Sequence, residues 1–453
     1  MNWSFETARK YVYSVLFALA ILIFLTHYFV SGQAVYGDGI GYYSHLHSWV
    51  IDRDWDYTNE YRHIYDSEHN NAIEDTLSPS VQIVSTTPEG KAENFYGTGV
   101  AVLLLPFYLL AHLIALTINF FGAGISTLGY GDWYQILTGV GAVIYSFLGL
   151  FFLEKVINLT VQNRKISLIS SVSIFLSTSL FYYSGFDVIN SHFASFFLSA
   201  LFFYLFLRKD CWEYSLLLGL IAGLMTITRP QDSIVVLIWC LSSLANYFSG
   251  KKPNHFRILM GRAKKFLTGY IFAFSPMIIH WIILFGNPLN HPYWRGLVER
   301  VQSKPVIDIF GSFFNPVTGL FYRTPLLLVL FIYFLYLLIR KENLKNLKYP
   351  LLFFLGQFLI ITVQGGWAAA AYGGRMYLSS LVFFALLLGK LLLQISKKRM
   401  AWAYLFVGTF ICLNLVSMMI FILRDKGVEG GKFGTEQRTI QRLKNLRIYP
   451  SQR

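Results

Sequence analysis

Runs of about 18 or more mostly apolar residues, broken by short polar segments, recur from residue 11 to residue 423. Each is long enough to cross a hydrocarbon core of roughly 30 Å as a helix. The pattern predicts eleven spans, at 11–30, 133–154, 167–184, 190–207, 214–228, 232–249, 266–285, 323–340, 350–365, 376–395 and 401–423. A further apolar stretch, 97–120, contains Pro106. The expected class is an all-α polytopic membrane protein.

Charge sets the orientation. Arg9 and Lys10 precede the first span and keep the N-terminus on the cytoplasmic side. Gly32-Gln33-Ala34 faintly resembles a cleavage site, but the 20-residue apolar stretch before it exceeds a signal core, so a retained helix is expected. Residues 31–96 then lie outside, and they hold 11 of the 24 acidic residues and three basic ones. Residues 121–132 carry no Lys or Arg, whereas Lys155, Arg164 and Lys165 follow the next span. That order places 97–120 at the external interface or makes it re-entrant, bent at Pro106. Twenty of the 38 basic residues then fall in cytoplasmic turns. The expected organisation is a transmembrane domain over 1–423, with 31–132 as a first external loop containing interfacial helices. A tail, 424–453, carries eight basic residues.

Composition narrows the class. At 55% hydrophobic and 14% charged over 453 residues, the chain has too little charge for a soluble protein of its length. The net charge of +14 is scattered between apolar runs rather than gathered on one polar domain, which argues against nucleic acid. Cys211, Cys240 and Cys412 lie far apart with no metal-type spacing.

The candidate chemistry collects on the outer side. In YGDGIGYY, residues 36–43, Asp38 stands between two glycines just beyond the first span. It is an uncrowded acid at the depth where lipid-borne substrates react, and Tyr42 and Tyr43 follow it. Arg375, after Gly373 and Gly374, opens an inbound span and suits binding an anion. Arg229 in TRPQD is a second guanidinium able to grip phosphate through paired hydrogen bonds. Asp187 and His192 lie near two outer helix ends, where ionisable groups face a bundle interior or a wet cavity. Helix capping by Asp187 is the competing account. Trp367 begins the last external turn. His45 and His47 raise a divalent metal, but alternate residues of a helix point different ways, so no cofactor is expected. No phosphate-binding glycine loop or serine elbow occurs.

An acid and two arginines on the outer side of a lipid-accommodating bundle fit transfer of a sugar from a polyprenyl-phosphate donor. Asp38 would act as general base toward an acceptor hydroxyl on a glycan, lipid or protein, and Arg375 and Arg229 would hold the donor phosphate. A single base with direct displacement predicts inversion. A transporter or flippase of a lipid-linked glycan, and a polysaccharide polymerase or ligase, remain open alternatives.

The chain also resembles the membrane glycosyltransferases of the GT-C fold, in the bacterial branch related to protein O-mannosyltransferases and to the transferase that adds aminoarabinose to lipid A. The resemblance rests on YGDGIGYY, DRDWDYTNEY (52–61), GTGVAVLLLPFYLLAH (97–112), TRPQD (228–232), NPVTGLFYRTP (315–325) and WAAAAYGGR (367–375). It implies a GT-C bundle with interfacial helices in the first external loop, Asp38 as the catalytic acid, and Arg229 and Arg375 as donor-phosphate contacts. It also implies a cytoplasmic-membrane enzyme with an outward-facing site. One departure stands out: the lipid A enzyme has a Glu-Lys pair where this chain has Asn94-Phe95-Tyr96, with Lys91 and Glu93 nearby but out of register.

Overall fold

The computed structural model describes residues 4–31, 34–35, 37–65, 87–122, 124–249, 255–288, 308–342, 344–368 and 372–422. Tyr36, Ala369 to Ala371, most of the 286–322 loop and the basic tail 424–453 lie outside them. Among the described residues the chain is helical, and eight helices are long and apolar enough to cross a membrane. This is an integral membrane protein built of α-helices.

The helix α1 (Phe5–Ser31) is followed by the short α2 (Asp38–His47), a π-helical turn (Ser48–Asp52) and α3 (Thr58–Tyr65). Next come α4 (Gly99–Phe120), which runs on through Pro106, and α5 (Asp132–Val161). The stretch α4 is itself long and apolar enough to span. The buried hub is α5, which packs against α1 and α4, then against α6 (Arg164–Leu176), α8 (Ser191–Phe206) and α16 (Leu381–Lys398).

The run expected to be one span at 167–184 is broken into α6 and α7 (Leu180–Gly185) at Ser177-Thr178-Ser179. A break in an apolar bundle frees backbone carbonyls that water does not reach. Asn414 of α17 (Met400–Ile420) takes up two of them, donating to the carbonyls of Leu176 at 2.9 Å and Thr178 at 3.1 Å. Its own Oδ1 accepts from Tyr372 at 2.9 Å. The chain continues through α9 (Ser215–Thr228), α10 (Ile234–Ser249) and α11 (His255–Phe285). Small residues let α9 and α11 touch backbone to backbone: a Cβ on Gly219 would fall 2.0 Å from the carbonyl of Phe266, and one on Gly269 would fall 2.3 Å from that of Leu216.

Three helices expected as full spans, α8, α10 and α14 (Pro325–Ile339), have 16, 16 and 15 residues, shorter than a bilayer requires of an upright helix. The short α12 (Ile309–Phe314) and α13 (Leu320–Arg323) precede α14, and α15 (Lys348–Gln364) follows it. The segment expected as the 376–395 span begins instead with a 3-10 turn, Arg375–Ser380, that leads into α16. That turn packs against α8 and α15, and it brings Arg375 to the start of α2.

Candidate active site

Asp38 is the first residue of α2, where the positive end of the helix favours a carboxylate. Gly37 before it has φ 55°, a conformation glycine adopts without strain. Oδ2 of Asp38 lies 3.2 Å from Nη1 of Arg375, and Oδ1 accepts a hydrogen bond from the Tyr96 hydroxyl at 3.2 Å. The acid and the guanidinium singled out in the sequence, more than 300 residues apart, therefore form an ion pair. The Asp38 side chain is 39% exposed and that of Arg375 17%, so the pair is open on the carboxylate side.

Packing explains how each group arrives. On the Asp38 side, a Cβ on Gly41 would fall 2.0 Å from the Tyr96 ring, so the absent side chain is the space the ring fills. Asn94 ties the two segments, donating to the Gly41 carbonyl at 3.0 Å and accepting from the Tyr96 amide at 3.1 Å. Tyr42, one turn on from Asp38, meets the Tyr96 ring edge-on at 5.0 Å. Burial pushes its phenol up to about 12, and the negative charge of Asp38 adds to that. On the other side, the amides of Gly373 and Gly374 donate to the carbonyls of Val317 and Thr318 at 3.1 and 2.9 Å. A Cβ on Gly374, whose φ is 58°, would fall 2.9 Å from the Cα of Leu320. Arg375 opens the turn that leads into α16, where the helix end opposes a cation, and Asp38 offsets that opposition.

A second group lies alongside. Arg229 is buried, and its Nη1 donates to Nδ1 of His192 at 2.7 Å while Nη2 reaches the sulfur of Met376 at 2.7 Å. A guanidinium only donates, so Nδ1 of His192 is the acceptor and its proton sits on Nε2. Nε2 of His192 and Nε of Arg375 are both buried and have no hydrogen-bond partner among the described residues. Donors left this way cost about 1–3 kcal/mol each.

Asp232 sets the two arginines in register. It is fully buried and accepts from Ser195, from Ser379 at 2.9 Å and from Gln357 at 2.5 Å. Gln231 donates to the carbonyl of Met376 at 3.0 Å. The Pro230–Ser233 turn is thereby locked to the Arg375–Ser380 turn.

The remaining expected residues divide. Asp187 stands close enough for its charge to act on Arg375. The cap of α8 is Asn190 rather than Asp187: its side chain accepts from the amide of His192 at 2.6 Å. Tyr43 faces away from the ion pair, donating to the Gly129 carbonyl at 2.6 Å with its ring against Tyr108, and so anchors α2. Trp367 lies against Gly311 of α12. His45 and His47 diverge as helical neighbours must: His45 meets Tyr57 at 2.9 Å and His47 meets Glu60 at 3.1 Å. The sequence reading missed Tyr96, Asn94, Met376 and Asp232. Asn94 and Tyr96 carried a signal as the departure from the Glu-Lys pair, and Asp232 closes the TRPQD motif.

No family model matches this chain, and no curated protein does. Among solved structures it is similar to the oligosaccharyltransferase of Archaeoglobus fulgidus, a structure containing zinc and sulfate. The identity is 13% and the TM-score 0.45, over 81% of this chain and 50% of that one, so the chain spans half of that protein's length. A likeness of that size leaves the activity to be argued from the residues themselves.

Proposed function

We propose that the chain is an inverting membrane glycosyltransferase of the GT-C type that moves a sugar from a polyprenyl-phosphate donor to an acceptor hydroxyl on the outer face of the membrane. The observation that carries this reading is the Asp38–Arg375 pair, open on its carboxylate side, where Asp38 is 39% exposed. A donor phosphate draws Arg375 toward its oxygens and takes hydrogen bonds from Nε of Arg375 and Nε2 of His192. Asp38, released from its partner, accepts the acceptor's proton. The acceptor oxygen bonds to the anomeric carbon as the carbon–oxygen bond to phosphate breaks, and the electron pair leaves on polyprenyl phosphate. Arg229 works one step back, fixing the tautomer of His192. This exchange makes donor binding the event that frees the base.

The test uses the purified full chain in lipid nanodiscs, given polyprenyl-phosphate sugars and membrane extract as acceptor. Mass spectrometry should show donor consumed and polyprenyl phosphate released, and Asp38→Asn should stop turnover while donor binding persists. Unchanged turnover in Asp38→Asn removes the base. Movement of intact donor between leaflets with no bond broken would make the protein a transporter.

A further inference from the structure

At the far end of α2 a second cluster has no part in the reaction above. Nδ1 of His47 lies 3.0 Å from Oδ2 of Asp52 and 3.1 Å from Oε1 of Glu60, and the three ligand atoms lie within 4.8 Å of one another. Asp52 stands five positions after His47, which an α-helix would set about 140° apart around its axis. The π-helical turn Ser48–Asp52 closes i to i+5 and brings them nearly into line. Such turns are uncommon and gather at functional sites.

The other ring nitrogen of His47 faces the carbonyl of Leu128 at 2.8 Å, an acceptor that requires a proton on Nε2. The ring is held flat against Tyr130, with centroids 4.1 Å apart. A histidine whose outer nitrogen donates to a backbone carbonyl presents the lone pair of the inner one, the arrangement that orients a metal ligand. Nδ1 and the two carboxylate oxygens do not converge unless something positive, a proton or a cation, sits between them. Glu60 is fully buried, and its Oε2 has no partner among the described residues. The Asp52 side chain is 24% exposed and gives the cluster its opening to solvent. A cation bound octahedrally at about 2.1 Å separates neighbouring ligands by about 3.0 Å, close to the two distances measured from Nδ1.

We propose that His47, Asp52 and Glu60 bind one divalent transition-metal cation, with Nδ1 and the two carboxylates as ligands and water completing the shell. A dication balances the two carboxylates. One imidazole with two carboxylates suits borderline ions such as Mn2+ or Zn2+. The site lies about 14 Å along α2 from Asp38, at 1.5 Å per residue, too far to touch the reacting atoms. Its work is to clamp the π turn and α3 to the end of α2, and it does not depend on the transferase reading.

The full chain, stripped with chelator in detergent, is titrated with Mn2+ under electron paramagnetic resonance and with Zn2+ by calorimetry. One saturable equivalent is expected, with pulsed-resonance modulation from a single imidazole nitrogen. His47→Gln should abolish that modulation, Glu60→Gln and Asp52→Asn should each weaken binding at least tenfold, and Asp38→Asn should bind normally. Asp52→Asn, at the exposed edge, keeps the test usable should the buried substitutions fail to fold. A wild-type chain without a saturable equivalent means a proton on Nδ1 fills the place, and the proposal falls. Binding that survives His47→Gln, or that shows no nitrogen, also overturns it. Loss of binding in Asp38→Asn would overturn it too, by moving the ion to the other end of the helix.

Discussion

The two ends of α2 hold charged clusters built in opposite ways. Asp38 meets partners from far along the chain, Tyr96 and Arg375, and its carboxylate is 39% exposed. His47 meets Asp52 and Glu60 from the next thirteen residues, and Glu60 is fully buried. A partly open ion pair gives up little when one member turns to a new partner, because water and ligand compensate each charge. A buried carboxylate beside a histidine has no such substitute, and removing its partner leaves it uncompensated. One end is thus suited to exchange and the other to holding. The helix between them is pinned midway by Tyr43 on Gly129.

That contrast breaks most visibly at Asp38. Asp38→Asn keeps the size and a hydrogen bond to Tyr96 but cannot take a proton, so sugar transfer in nanodiscs should fall by about 10²–10⁴-fold with donor affinity kept. Arg375→Lys retains the charge and loses the planar fork, so turnover should drop about 10²-fold, read as kcat against KM for the donor. Gly41→Ala puts a methyl where the Tyr96 ring lies. It should cost on the order of tenfold in turnover through misplacement of Asp38, and a second substitution, Tyr96→Leu, should restore the fold measured by thermal melting without restoring the rate. Tyr96→Phe removes one hydrogen bond to the carboxylate and should slow turnover by about tenfold or less. The smallest effect belongs to Tyr43→Phe: losing the bond to Gly129 should lower stability by about 1 kcal/mol, seen in a melting curve, and change turnover less than threefold. A large catalytic loss there would make Tyr43 a substrate contact and undo the division between the two ends.

Several features were legible in the residues. Asp38 and Arg375 each stand beside glycine at the edge of an apolar run, and the pairing of the two motifs follows from chemistry that needs an acid and a cation together. The membrane class follows from run length alone. The break at Ser177 to Ser179 was not legible, because a sequence of small hydroxyl residues continues a helix as easily as it ends one. Asn414, distant in sequence, supplies the donors that make the break tolerable. The π turn at Ser48–Asp52 was equally hidden, so the convergence of His47 with Asp52 and Glu60 does not follow from spacing. The role of Asp232 rests on Ser195, Ser379 and Gln357, which come from three separate helices or turns.

Sequence by itself determined what the chain is made to live in and which charges it keeps at the boundary. Burial of apolar runs and exclusion of unpaired charge are properties of composition and order, and they need no partner. The tertiary structure alone decided which charges meet. A salt bridge or ligand cluster depends on distances of about 3 Å, and those are set by where glycines let helices touch, where a helix breaks and where a turn changes its period.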